Sequence, residues 1–361
     1  MSQQIAGYRV RRAQSLSAKV LVPGQLTESD IARWRTFMRQ SSFLQSAFLS
    51  WPFVATAARV FRFVRVAKFV VDDEVVGFFP FQAGSLFQHL LGAAERVGGE
   101  VADSFGLVAK PGFSIAPSEL LRLCRLSAIY FTHLDQGQLQ FGLTGEKPET
   151  GLRIEFPEGG AAFWEALRSS DRKFTADTER RERKLIAEHG PLRFVFRCDD
   201  AHHQLDHLIV AKRAQYRRTD AADSLRQDTV RTFLRALLAS GDLDCHATLS
   251  VLYAGEQWIA MHFGLVCGST LHYWFPVYNP AMRAFAPGRL LIKTMIESSP
   301  STGLKAIDRG TGDSAAKREF ATSSRQYLRG VWSRPGLGGM AYRTGLSVGW
   351  RLQAMRTGNR G

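Results

Sequence analysis

The chain has 361 residues, 45% hydrophobic and 22% charged, with a formal net charge of +14 and a pI near 10.0. That length and balance fit a globular protein of two domains with a large core, and its four cysteines, none in a CxxC pair, exclude a disulfide-stapled scaffold and suggest reduced thiols in the cytoplasm. The apolar run at 48–61 is broken by Pro52 and Arg59, and no apolar stretch follows Arg9, Arg11 and Arg12, so neither a transmembrane helix nor a secretory signal is expected.

In chain order, Thr27 caps a helix predicted over 28–40, with Asp30 in its first turn. A hairpin over 64–81 turns at Asp72, Asp73 and Glu74. An irregular glycine-rich stretch over 98–112 precedes a helix over 117–123 and strands over 128–134 and 138–143. The Gly, Pro, Thr and Glu cluster over 142–160 reads as a connection between domains, with a short strand over 152–156 crossing it. Helices follow over 161–169 and 171–189, the latter strongly basic and stopped by Gly190 and Pro191. A strand over 192–197 leads to helices over 202–218 and 225–240. Three strands over 247–253, 257–266 and 270–277, joined by short glycine-containing links, form an antiparallel meander. A helix over 288–298, a strand over 304–308, a glycine-rich loop over 309–313, a short helix over 315–321 and a strand over 327–332 complete the order. A strand, loop, helix and second strand make a right-handed crossover, so the class is α+β with mixed sheets.

The segment 278–297, YNPAMRAFAPGRLLIKTMIE, carries the chemistry. A basic loop opening into a helix N-terminus favours an anion, and Arg283 and Arg289 flank the turn. Neither GxxxxGK[ST] nor GxGxxG occurs, which disfavours ATP hydrolysis and a dinucleotide site. His262 lies mid-strand on the face of Trp258, Ala260, Gly264 and Val266, opposite Ile259, Met261, Phe263 and Leu265. It is either a general base toward an ammonium substrate, with Gly264 leaving room beside it, or a hydrogen-bonded structural histidine. His272, on the next strand, ranks below it. Asp308 ends its strand beside a loop containing Asp313; it orients or deprotonates an amine, or it bonds the loop backbone while Asp313 caps the helix at Ser314. His202, His203 and His207 have no ligand partners at metal spacing, and no GxSxG elbow occurs. No acidic residue precedes Glu28 or follows Glu319, and Arg325, Arg329, Arg334, Arg343, Arg351, Arg356 and Arg360 fill the last segment. An anionic partner follows: a phosphorylated ligand or a membrane surface, with nucleic acid disfavoured because no aromatic-rich basic sheet or DNA-reading helix is evident.

The order meander, loop, helix, strand resembles the GNAT superfamily of acyl-CoA N-acyltransferases. HYWFPVYNPAMRAFAPGRLLI (272–292) and AIDRGTGDSAAKREF (306–320) resemble the cellulose-biosynthesis-type acetyltransferase-like proteins of bacteria, as do VVGFFPFQ (75–82) and ERVGGEVADSFGLVAKPGF (95–113). The chain is also similar to Fem-type aminoacyl transferases in having two GNAT-like halves, with Lys317 and Phe320 in a matching position. The resemblance implies two tandem GNAT-like mixed sheets flanked by helices: a degenerate domain over 1–150 that shapes the acceptor site, an acyl-CoA-binding domain over 151–335, and a basic tail over 336–361. It implies an N-acyltransferase using acyl-CoA, acetyl-CoA or an acyl-carrier protein thioester, with an amine acceptor in envelope polysaccharide or lipid synthesis and no metal. Arg283, Ala286, Gly288, Arg289 and Leu290 would hold the pyrophosphate, and His262, Asp308 and Lys317 are the catalytic candidates. Only Gly288 stands where the superfamily loop has two spaced glycines. The alternative is a non-catalytic binding protein of the same fold in exopolysaccharide assembly. The expected location is the cytoplasm, peripheral to the inner membrane through the tail.

Overall fold

The computed structural model describes residues 15–242 and 245–335; the Arg-rich tail lies outside the described residues. Among the described residues thirteen strands form two sheets: β1 (Leu16–Leu21), β2 (Val64–Val71), β3 (Glu74–Gln82), β4 (Ala93–Ala94), β5 (Val108–Ala109), β6 (Ala128–Asp135), β7 (Lys147–Glu155), β8 (Leu192–Val195), β9 (Cys245–Ala254), β10 (Gln257–Cys267), β11 (Thr270–Tyr278), β12 (Ala306–Thr311) and β13 (Ser323–Ser333). The smaller sheet is four-stranded, in the order β1-β2-β3-β5, and the larger is nine-stranded, in the order β4-β6-β13-β7-β12-β11-β10-β9-β8. The architecture is α+β, with two sheets flanked by helices, as expected; the larger sheet is mixed, but the smaller is antiparallel throughout.

Local chemistry explains the elements. Thr27 and Asp30 form a reciprocal capping box at the head of helix Glu28–Gln40. The β2–β3 hairpin turns on Asp72 and Asp73, both in the left-handed region (φ 46° and 66°), where aspartate is tolerated better than most residues. The apolar run at 48–61 contains helix Trp51–Val60, with Pro52 in its first turn and Ser50 as its cap. Among the described residues no helix is long and apolar enough to cross a membrane.

Two expectations are corrected. The stretch read as a connection over 142–160 contains β7, which extends the short strand expected over 152–156 back to Lys147 and lies between β13 and β12. Its Pro148, Thr150 and Gly151 look like loop residues, yet pairing on both edges overrides local propensity. The strand expected over 138–143 is a 3-10 helix, Gln136–Phe141, ended by Gly142 in the left-handed region (φ 79°).

That helix has a job. The backbone around β5 parts from β6 after the single bridge between Phe105 and Leu134. Gln138, fully buried, fills the gap: its Oε1 accepts from Leu107 N–H (3.0 Å) and its Nε2 donates to Leu107 C=O (3.1 Å). A side-chain amide thus replaces a strand. Gln138→Leu leaves both backbone groups buried and unpaired and is expected to lower unfolding free energy by about 2–5 kcal/mol, read from urea denaturation.

The core is shared between the halves. Phe53 packs against Phe233 and Phe48 against Trp274, and the Trp274 indole N–H donates to Val101 C=O at 2.7 Å. A second cluster surrounds helix Pro287–Glu297 on the opposite face of the large sheet.

Candidate active site

The large sheet opens at one place. β11 runs parallel to β12 only over three pairs, Thr270 with Ala306, Leu271 with Ile307 and His272 with Asp308; beyond them the strands part. The cause lies on the other edge of β11. Between the pairs Phe263–Phe275 and Leu265–His272, β10 contributes Gly264 alone while β11 contributes Tyr273 and Trp274, so β11 is bulged and bends away. Pro276, further along β11, has no N–H to offer, and its carbonyl accepts from the buried Lys212 Nζ at 2.6 Å. Burial without a carboxylate partner pulls Lys212 down to about 8.

His262 belongs to this bulge. It is fully buried, its ring stacks on Tyr273 (4.5 Å, 7°), and its Nε2 accepts from the Trp274 N–H at 3.2 Å. Burial, with His272 nearby, drives it down to about 3, so it is neutral across the physiological range. The space that Gly264 leaves is taken by the His262 ring and the His272 carbonyl, not by a ligand. The geometry gives His262 the second of its two readings, a histidine that holds the bulge. Gly264→Ala would push a methyl into both groups and is expected to cost about 1–3 kcal/mol in a thermal melt.

One face of the opening is a cleft of about 190 Å³ whose walls include Tyr273, Pro276, Gly288, Arg289, Arg309 and Glu319. Ala286, left-handed at φ 53°, turns the chain into helix Pro287–Glu297. Pro287 lacks an N–H, and the Arg289 and Leu290 amides return to Ala286 C=O (2.9 and 3.2 Å), which leaves Gly288 N–H as the first-turn donor toward the cleft. A Cβ on Gly288 would meet nothing within 4 Å, so this glycine borders open space. Leu290 is buried in the core beneath, and Arg283 is exposed on the loop. Arg289 is already engaged: Nη2 binds Glu319 Oε1 at 2.6 Å, Nη1 binds Asp177 Oδ2 at 3.0 Å, and the guanidinium covers Phe174 at 4.5 Å. Arg309 enters the cleft from β12. Its Nη1 donates to Ala316 C=O at 2.8 Å, but its buried Nε has no partner, and burial lowers its pKa.

Neighbours on a strand point to opposite faces, so His272 and Asp308 face away from Tyr273 and Arg309. There they meet the first half of the chain. His272 Nε2 lies 2.9 Å from Asp103 Oδ2, and its Nδ1 is 3.9 Å from Asp308 Oδ1. Phe48 packs edge-on against the ring at 4.6 Å. Asp308 accepts from Gly310 N–H at 2.8 Å and from Tyr327 O–H at 3.5 Å. Asp103 also approaches His133 Nε2 (3.6 Å), which meets the Thr311 hydroxyl at 2.9 Å; His133 Nδ1 meets Thr132 at 2.7 Å, and Arg96 donates to Thr132. Burial would raise Asp103, but the His272 hydrogen bond and the charges of His272, His133 and Arg96 outweigh it and hold the carboxyl at about 2. Burial lowers His133 to about 4 despite Asp103. Lys317 Nζ donates to Thr311 C=O at 2.5 Å, and burial and Arg309 lower its pKa. Asp313 pairs with Arg318, and Ser314 is the residue that caps the short helix. Asp103, Asp135, Asp308, Arg153, Arg325 and His272 all line a cavity of about 20 Å³ on this face. Among the described residues no His, Cys, Asp and Glu group is arranged to hold a metal ion.

Residues 172–318 match the family described as acetyltransferase (GNAT) domain. The crossover β11, helix Pro287–Glu297, β12 lies inside this segment, with the glycine-bordered cleft at its opening. Across the whole chain the fold is similar to the crystal structure of FemX, at 11% identity and a TM-score of 0.57, covering 90% of this chain and 99% of that one. A tandem GNAT protein from the clavulanic acid biosynthesis pathway aligns at 12% identity and a TM-score of 0.48, covering 90% of this chain and 100% of that one. No curated protein sequence matches the chain.

The fold of this segment brings Asp308 and Gly288 to the opening and Lys317 near it, while Arg283 stays outside and His262 stays within the sheet. Sequence reading ranked His272 low and passed over Asp103, His133 and Arg309 as site residues. The signal for His272 and Arg309 was the parallel pairing of 270–272 with 306–308, which sets His272 beside Asp308 and Arg309 on the other face. Asp103 and His133 carried no local signal; they arrive from the other half of the chain.

Proposed function

We propose that the protein is an N-acyltransferase that moves an acyl group from a coenzyme A thioester to a primary amine. One observation carries this reading: at the parting of β11 and β12, a glycine-bordered cleft opens on one face and the His272–Asp103–Asp308 cluster on the other, so two substrates can meet through the sheet. The thioester enters past Gly288 and Arg309, with its phosphates toward the Gly288 amide and the exposed Arg283. The amine arrives as ammonium at Asp308. Asp103 accepts the Nε2 proton of His272, which leaves Nδ1 as a base facing Asp308. Nδ1 takes one ammonium proton, and the amine nitrogen attacks the thioester carbonyl. The C–N bond forms, the C–S bond breaks, and the second nitrogen proton passes to the departing sulfur as a thiol. His272 returns its proton to solvent. No covalent enzyme intermediate is required, and positioning plus deprotonation supply the rate.

The narrower sequence resemblance supports an acceptor in envelope polysaccharide or lipid synthesis, and the same cleft suits a phosphopantetheine arm on an acyl-carrier protein. A second reading, a binding protein that has lost catalysis, is favoured by the ion pairs that occupy Arg289. Calorimetric titration with coenzyme A and acetyl-CoA tests both. Gly288→Trp fills the open space and is expected to weaken binding more than about tenfold with an unchanged melting temperature. If the wild-type protein binds neither compound, the acyl-transfer reading fails; if it binds both but transfers to no amine, the binding-protein reading replaces it.

A further inference from the structure

The acceptor side extends beyond the charged cavity. That cavity, about 20 Å³, has room for one water-sized head group. Beside it lies a groove of about 250 Å³ walled by Met38, Trp51, Pro52 and Cys245, with Arg35, paired to Asp242, and Arg39 at its side. Gln45 and Cys267 line both spaces, so the groove continues from the carboxylates. Three aspartates against Arg153 and Arg325 leave the small cavity acidic on balance, and beside a groove walled mainly by apolar side chains it selects a cation on an apolar stem. We infer that the acceptor is a primary amine on an aliphatic or arylalkyl body, its ammonium at Asp308 and His272 and its stem along Trp51 and Met38. This rests on the acyl-transfer reading, but it can be tested without a donor.

Calorimetry on the full chain would compare ethylamine, n-hexylamine and n-hexanol with no thioester present. Each buried methylene adds favourable transfer free energy, so hexylamine is expected to bind at least about tenfold tighter than ethylamine. Hexanol, which lacks the charge, is expected not to bind. Trp51→Ala is expected to erase the chain-length gain, and Asp308→Asn the preference for amine over alcohol; Met38→Ser replaces Trp51→Ala if the latter melts early. Equal affinity for the two amines, or binding of hexanol, overturns the inference. A protein that shows the amine series but binds no acyl-CoA would retain the acceptor site and lose the acyl-transfer reading.

A separate observation concerns the surface. Helix Leu86–Leu90 and the residue after it expose Leu86 (53%), Phe87 (71%), Leu90 (74%) and Leu91 (36%). The tip is basic at its base: His89 stacks on Phe63 at 4.6 Å, the exposed Arg62 lies over Phe63 at 5.3 Å, and the exposed Arg125 lines the same cavity as His89. An apolar tip flanked at its base by Arg62 and Arg125, on a chain of net charge +14, complements an anionic bilayer. We propose that this tip inserts into the headgroup region of an anionic membrane. Sedimentation of the full chain with phosphatidylcholine vesicles, with and without phosphatidylglycerol, tests it. Binding is expected only with the anionic lipid, and Phe87→Ser with Leu90→Ser is expected to weaken it at least about tenfold while the melting temperature holds. Unchanged vesicle binding in that variant overturns the proposal. So does a wild-type dimer that the variant converts to monomer without any vesicle effect, because the patch then serves a second copy.

Discussion

His272→Gln is expected to lower turnover by about 10²- to 10⁴-fold while coenzyme A affinity and melting temperature stay close to wild type. His272 stands at the parting of the strands with one nitrogen toward Asp308 and the other fixed by Asp103. Glutamine preserves a donor toward Asp103 and removes the base. Asp103→Asn tests the same arrangement differently. An amide Nδ2 facing Nε2 donates where the carboxylate accepted, which favours the tautomer with the proton on Nδ1 and leaves no base there. It should therefore impair kcat nearly as much as the histidine change. A structural role would instead lower melting temperature and donor binding together. A His272→Gln variant that keeps wild-type kcat rules out His272 as the base.

What the sequence disclosed, and what it withheld, follows from the range of the interactions. The meander, the Pro287 turn and the amphipathic helix after it are local, and their periodicity and punctuation sufficed to place them. Only the second half of β7 was anticipated, as a strand over 152–156; its first half escaped because Pro148, Thr150 and Gly151 are poor strand residues held in place by β12 and β13, the latter about 170 residues away in sequence. Gln138 read as part of a strand, since nothing local reveals that its amide completes hydrogen bonds with Leu107. The site divides the same way. Gly288 and Asp308 follow from a loop and a strand end. The partners that set their chemistry do not: Asp103 is 169 positions from His272, and Glu319 is 30 positions from Arg289. His262 was a candidate because Gly264 beside it would leave room for a ligand, but its enclosure by Tyr273 and the Trp274 amide depends on a bulge that alternation alone does not reveal.

The fold is expected to lose stability steeply in mild acid, and buried histidines are the reason. His262 sits at about 3 and His133 at about 4 in the folded chain, both first because burial disfavours the cation, against about 6.5 when unfolded. A depressed folded pKa contributes stability that is complete above the unfolded value and is lost as pH falls toward the folded one. Between roughly pH 6 and pH 4 the unfolded chain binds two protons that the folded chain refuses, a slope of about 2–3 kcal/mol per pH unit. Asp103, held at about 2, adds to the loss only once the carboxylate range is entered. Glu95 and Asp135, raised by burial, act in the opposite direction there. Urea midpoints at pH 7.5 and 5.5 give the wild-type slope. His133→Asn keeps a polar group near Thr132 but cannot titrate, and is expected to remove about half of it. A midpoint that does not move between the two pH values, or a slope unaffected by His133→Asn, would show that these rings gain protons without opening the fold. The bulge that holds His272 in place would then be more accommodating than its packing around His262 and Gly264 implies.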